Sequence, residues 1–462
     1  RGCMKIPNIP LIPSVNAHVI FCLLIILFCL PGCDNSQKVG VTADSKATHQ
    51  KKTTPEIKTA TLLVDSINVT LVETATAALP LWRDHASHKP ALMLFSNDPF
   101  LTPVPEPLHD EVMDLVRSGK PAQIKARAVD ISPNPLLMHP MAVDAALKAG
   151  FFSQLIWILP LKADEPLPAM DVLRQKMLDT GLLSQSEAKS FSAEGEHYTA
   201  VLRGIPVTIG TLAHIPRPKN PAWIHFDLSL FKPLYKNEVS TPLYPLVLDT
   251  LKKIRAASIS SVGATISQSN LGGAISLKVR FLGKDLSHLL EFPASIDEDL
   301  PELQFRRSQN LYLEHFVKKE EILENCLHME ILAPEDASVK FDLYYANREM
   351  QRGKQALKFL EKAVVLDPMY AYEYVYLAET AVEKKRPAAA LDMLEKARKT
   401  FPDNPVIRIM EADINIGLGR RETAVDLLDQ LQSLPWSKVY DQDEPGRLEN
   451  MKKSAESLPA GH

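Results

Sequence analysis

The sequence predicts an α/β domain with a mostly parallel sheet, followed by an all-α array of helical repeats. Two observations carry this. Between about Ala60 and Pro334 near-continuous apolar runs alternate with helical stretches, the pattern of strands covered on both faces by helices. Beyond 335, Pro368 and Pro402 each close a helix, 34 residues apart, which is the period of a two-helix repeat.

The N-terminal stretch precedes both. Val19 to Leu30 is an unbroken apolar run behind Lys5, too short for a stable membrane span, and it leads into Leu30-Pro31-Gly32-Cys33 and a polar tail. Met4 is the expected start. The segment resembles a bacterial lipobox, which implies cleavage before Cys33 and a lipid on its thiol; an uncleaved signal anchor or an ordinary secretory peptide is the alternative. Asp34 resembles the signal that retains lipoproteins in the inner membrane. Residues 34 to about 56 are Ser, Thr, Lys and Gln with few large apolar side chains, a solvated tether. The expected layout is signal 1–32, lipidated tether 33–57, α/β domain 58–334, repeats 335–436, and a capping helix and tail 437–462. The expected location is the bacterial envelope, facing the periplasm, with the inner membrane favoured.

Removing residues 1–32 takes away Arg1 and Lys5 but no acid, so the formal charge moves from −4 to −6. That balance offers no basic stripe for a phosphate backbone, and nucleic acid is excluded as the expected partner. Of the five cysteines, Cys3, Cys22 and Cys29 lie in or before the signal and Cys33 is the anchor. Cys326 is therefore alone in the body, without a disulfide partner, on an apolar-patterned helix where a buried inert thiol is expected.

The strands are expected at Ala91 to Phe95, Gln154 to Leu159, Ala222 to Asp227 and Ser261 to Ser267. Val201 to Ile209 and Ala274 to Phe281 read as antiparallel additions, with Gly272-Gly273 as a hairpin turn. In such sheets chemistry collects at the carboxyl ends of strands. Three ends are polar: Ser96-Asn97-Asp98, His225-Phe226-Asp227-Leu228-Ser229 and Ser267-Gln268-Ser269-Asn270. No phosphate-binding glycine loop, His-Glu-x-x-His or Gly-x-Ser-x-Gly occurs.

The first two ends resemble the metal-ligand segments of the arginase-like (ureohydrolase) superfamily, with further similarity at Ala78-Leu79-Pro80-Leu81-Trp82 and Gly150 to Pro160. The family pattern is Asp-Ser/Ala-His-x-Asp and, later, Asp-x-Asp-x-Asp. Here Phe95 and Asn97 replace an Asp and the His, and His225, Asp227 and Ser229 stand where three Asp belong. The resemblance therefore implies a degenerate domain in which Asp98, His225 and Asp227 are the surviving candidate ligands. Without the bridging carboxylates, two-metal activation of water is lost. No cofactor is expected on this reading; the alternative is a single divalent metal at these three residues serving a hydrolase of amide or amidine bonds. The plain reading of His225 and Asp227 is structural, because residues two apart on a strand share a face and pair by hydrogen bonds without catalysis.

The C-terminal units resemble tetratricopeptide repeats. The middle one carries Tyr374, Leu377, Ala378, Ala381, Ala390, Leu394, Ala397 and Pro402 at packing positions. The unit before it has Ala346, Gly353, Ala356, Leu360, Ala363 and Pro368; the unit after it has Ala412, Gly419, Ala424 and Leu428. Small residues belong where paired helices approach closely. The resemblance implies a groove for a protein partner, with Tyr370, Tyr372, Tyr374 and Tyr376 as candidate lining. Their alternation prevents all four from sharing one helix face, and three repeats packed only on their own neighbouring domain are the competing reading. The chain is thus expected to be an envelope-anchored protein-binding or assembly module.

Overall fold

The computed structural model describes residues 58–128, 132–162, 165–270 and 275–459. The expected signal, Cys33, the tether and the Gly272-Gly273 turn lie outside them. Among the described residues no helix is long and apolar enough to cross a membrane.

Nine strands form one sheet: β1 (Ala60–Thr61), β2 (Val69–Val72), β3 (Ala91–Phe95), β4 (Gln154–Leu159), β5 (Ser192–Glu194), β6 (His197–Leu202), β7 (Ile205–Thr211), β8 (Ala222–Asp227) and β9 (Ser260–Ser267). The order is β1-β9-β8-β3-β4-β7-β6-β5, with β2 also paired to β9. From β2 through β9, β8, β3, β4 to β7 every pair is parallel. Only β1 and the β5-β6-β7 meander are antiparallel.

The period of two along each strand sorts the side chains into two cores. Leu92, Leu94, Leu155, Trp157 and Trp223 face Trp82, Phe100 and the Ala142–Lys148 helix. Ala91, Met93, Phe95, Ile156, Ile158, Ile224, Phe226, Ala264 and Ile266 face the other way. There they meet Tyr244, Val247, Leu251 and Ile254, which recur along one face of the Leu243–Ala256 helix. Burial on both sides is why β3 reads as a wholly apolar run. At Gly263 a side chain would crowd the core: a Cβ would lie 3.0 Å from the Trp223 ring, which would have to shift.

The expected strand over Ala274 to Phe281 is corrected. Its described part is a loop, a 3-10 turn at Leu277–Val279 and the start of the Phe281–Glu291 helix. Ser276 caps that turn by accepting from Lys278 N at 3.2 Å. The alternation of Ile275, Leu277, Val279 and Phe281 serves two cores. Ile275 and Phe281 enter the sheet core, whereas Leu277 enters the core of the repeats. Val201 to Ile209 does supply the antiparallel β6-β7 hairpin, although β7 itself runs parallel to β4.

The C-terminal half is helical. The Glu302–His315 and Lys319–Leu332 helices form a hairpin against the sheet domain, and the second packs on Ala337–Glu349. Three further hairpins follow: Ala337–Glu349 with Gly353–Leu366, Tyr372–Glu383 with Pro387–Thr400, and Pro405–Gly417 with Arg421–Gln432. The Glu444–Glu456 helix covers the last apolar face through Leu448 and Ala455.

This array is tied to the sheet domain at two places. Near its start the buried Arg280 guanidinium donates to Glu73, at the end of β2, at 2.7 Å and to Asp367, in the first repeat, at 2.7 Å. Near its end Ser437 N donates to Pro133 O at 2.9 Å and Tyr440 Oη to Leu136 O at 3.1 Å.

Candidate functional site

Parallel register, rather than sequence proximity, assembles the polar cluster at the carboxyl edge. Leu94, His225 and Thr265 align across β3, β8 and β9, and Asp227 aligns with Ser267. Trp223, His225 and Asp227 point to one face, as residues two apart on a strand must.

The hydrogen bonds there run in one direction. Indole N–H groups only donate, and Trp223 Nε1 and Trp82 Nε1 both give to Thr265 Oγ1, at 3.1 and 3.4 Å. Thr265 therefore turns its own hydrogen to His225 Nδ1, 2.8 Å away. That makes Nε2 the protonated ring nitrogen, and it donates to Ser267 Oγ at 3.1 Å. Ser267 in turn gives its hydrogen to Asp227 Oδ2, which Ser269 also reaches. Asp227 Oδ1 accepts from Ser229 N at 2.9 Å and caps the following 3-10 turn.

His225, Thr265 and Ser267 are sealed from solvent, and Asp227 and Ser269 nearly so. Burial pulls the His225 pKa down to about 4, although Asp227 opposes it, so the ring is neutral. The Trp82 ring packs edge-on against it at 5.2 Å.

Asp98 is brought near this cluster but into a different role. Its Oδ1 accepts from Phe100 N at 2.7 Å, and its own N–H donates to Ser96 Oγ at 3.1 Å, a local turn after β3. Burial raises its pKa, with His139 lowering and Asp227 raising it further. The Phe100 ring lies 4.9 Å from His139 and 6.2 Å from His225.

A metal does not fit the three expected ligands as they are arranged. A ligating imidazole needs a free nitrogen lone pair; His225 uses its only one to accept from Thr265 and carries a hydrogen on the other nitrogen. Asp227 is held by two hydroxyls and a backbone N–H. Among the described residues no three His, Cys, Asp or Glu side chains are placed to hold a metal ion. The paired reading of His225 and Asp227 holds in modified form: they share a face and are joined through Ser267. Thr265, Trp82, Trp223 and His139 were missed, because only the register of β8 against β9 and the return of the 139 loop bring them here. The polar end Ser267-Gln268-Ser269 was the one sequence signal for the serines.

The repeat array is the second candidate site. Ala378, Ala390 and Ala397 are fully buried where the helices meet, as the small residues demand. The tetratricopeptide repeat family model matches residues 381–433. Over that span the helices match tetratricopeptide repeats. Repeats of this kind generally mediate protein–protein contacts. No curated protein matches the chain.

The four tyrosines divide as the alternation requires. Tyr370 is 1 % exposed and packs on Phe341 at 4.4 Å; Tyr374 is 3 % exposed in the same repeat core. Both are core residues, which corrects their expected place in a partner groove. Tyr372 is half-buried, its ring 4.4 Å from Phe401. Tyr376 is 54 % exposed and shares its helix surface with the exposed Glu379, Thr380 and Glu383. Cys326 is buried as expected; Asn310 Nδ2 donates to its Sγ at 3.2 Å, and burial pushes its pKa well up.

Proposed function

We propose that this chain is a protein-interaction module of the bacterial envelope, anchored by a lipid on Cys33, with its repeats receiving the partner and its α/β domain acting as a rigid base. The observation that carries the reading is the tetratricopeptide match at residues 381–433, which spans the last three helices of an array of three successive helical hairpins. The polar residues at the ends of β8 and β9 support the non-catalytic half of it: His225, Thr265, Ser267, Asp227 and Ser269 satisfy one another out of reach of solvent, where a hydrolase of the arginase-like kind presents metal and water. The lipobox-like Leu30 to Cys33 and the polar tether supply the anchor, and Asp34 favours the inner membrane.

The test is a photo-reactive amino acid at position 376 of the full chain in intact cells, with the exposed Val172 on the sheet domain as control position. A discrete adduct from 376 and none from 172 supports the reading. Equal labelling from both, or none from 376, overturns it. Replacing Cys33 by Ala is expected to move the protein out of the membrane fraction, while the same protein still forms the 376 adduct. Prolonged treatment with a chelator is expected to leave the melting temperature unchanged, because the α/β core is closed by hydrogen bonds; a fall of several degrees counts against it.

A further inference from the structure

A cavity of about 330 Å³ lies between the Glu302–His315/Lys319–Leu332 hairpin and the first repeat helix, Ala337–Glu349. None of its lining residues belongs to the strand-end cluster. Its volume is at the lower end of the range for small-molecule sites. Part of the wall is apolar, from Val317, Ile322, Ala346 and the Tyr345 ring.

The wall carries three cations and three carboxylates, but one cation is drawn to a carboxylate outside it. Lys278 is paired with Glu314, and Lys319 Nζ lies 3.3 Å from Glu349. Arg348 Nη1 is 2.9 Å from Glu373, behind the wall, and its guanidinium stacks over Tyr345 at 4.2 Å. Every cation lining the cavity thus has its own carboxylate. Asp342, which also lines it, has no hydrogen bond or ion pair among the described residues. The cations acting on it through space are Lys278 and Arg307, and Arg307 is committed to Asp336 at 3.2 Å and Asp285 at 3.6 Å. Asp342 is half-buried, open towards the cavity, and a carboxylate shielded from much of the solvent without a counter-ion is costly unless a partner arrives or a proton does.

We propose that this cavity binds a small organic monocation, a primary ammonium on a short apolar stem, with Asp342 as its counter-ion. The ammonium completes the one unmatched charge, and the stem lies against Val317, Ile322 and Ala346. A metal ion is a poorer occupant, because no set of three ligating side chains is present among the described residues. Burial pushes the Asp342 carboxyl up to about 7, with Glu314 and Asp336 adding to the rise and Arg307 and Lys278 opposing it. Binding of an ammonium, which stays charged in this range, therefore competes with a proton on Asp342, and affinity falls as pH drops below about 7.

Calorimetry on the full chain decides this, with n-pentylamine as probe and n-pentanol as its neutral match. The expected result is saturable binding of pentylamine at about pH 8 and none of pentanol, with at least about tenfold weaker binding to Asp342→Asn, the loss of one charge-assisted contact. That variant keeps the shape and removes an unpaired charge, so it is expected to fold. Should it not, the unaltered protein still decides: the amine, which stays protonated throughout, must lose affinity between about pH 8 and pH 6. No binding of pentylamine, equal binding of the alcohol, binding undiminished in Asp342→Asn, or affinity independent of pH overturns the proposal.

Discussion

Thr265 is the residue on which the strand-end cluster turns. One hydroxyl accepts from two indoles and donates to His225, so Thr265→Val keeps the shape and strands two donors and an acceptor in a dry core. With a penalty of about 1–3 kcal/mol for each unsatisfied group, partly relieved by relaxation, the variant is expected to lose about 2–4 kcal/mol of unfolding free energy in urea titration. A loss below about 0.5 kcal/mol would show that the hydroxyl is dispensable. His225 makes a second prediction, in pH. Its native pKa, about 4, lies below the unfolded value, so as pH falls from about 6.5 towards 4 the unfolded chain gains a proton that the native ring refuses, and stability drops. Asp342 has the opposite slope, since its raised pKa favours the native state at lower pH. The informative quantity is the difference: the urea midpoint of the unaltered protein is expected to fall more between about pH 7 and pH 5 than that of His225→Gln. Residue identity alone shows that His225 and Asp227 share a face. That Thr265 and Ser267 complete the chain depends on how β8 registers against β9, a tertiary fact that no local pattern encodes.

Among elements, strands β3 and β4 are legible because both faces are apolar and each run is short, and β8 and β9 because each keeps one apolar face, Ile224 and Phe226 on β8, Ala264 and Ile266 on β9. The segment from Ile275 to Phe281 defeats the same logic. Its period of two comes from Ile275, Val279 and Phe281 packing on the sheet core with Leu277 turned into the repeat core, and a chain passing between two cores mimics a strand. The repeat hairpins are legible for a different reason: close helix approach admits only small side chains, and Ala390 and Ala397 mark it in the sequence. Ala397→Leu is therefore expected to overpack the hairpin formed by Tyr372–Glu383 and Pro387–Thr400 and to cost about 1–3 kcal/mol, read as a lowered melting temperature. The same change at the exposed Ala388 is expected to do almost nothing.

At the scale of the molecule, Arg280 joins the two halves. It is 5 % exposed and holds Glu73 of the sheet domain and Asp367 of the first repeat together. Breaking a fully buried ion pair by removing one partner costs about 3–5 kcal/mol; Glu73 and Asp367 are 34 % and 22 % exposed, so solvent takes up part of the loss and about 1–3 kcal/mol remains. Arg280→Gln is expected to lower the stability by an amount of that order and to split a single calorimetric transition into two, the repeats melting first. One unchanged transition would mean that the apolar contact at Leu277 couples the halves without it. Neither tie could be read from the sequence, since each joins residues that are far apart in the chain, 87 positions for Arg280–Asp367 and 304 for Tyr440–Leu136.

Attachment at both ends changes what the repeats are mechanically. A solenoid free at one terminus behaves as a spring, adjusting its curvature by small rotations summed from unit to unit. Here the span between Asp367 and Tyr440 is set by the sheet beneath, so the array behaves as an arch on two abutments. A partner that seeks to open or tighten the arch must load those footings, and the load arrives at Glu73 and at the 132–141 loop, both beside the carboxyl ends of the strands.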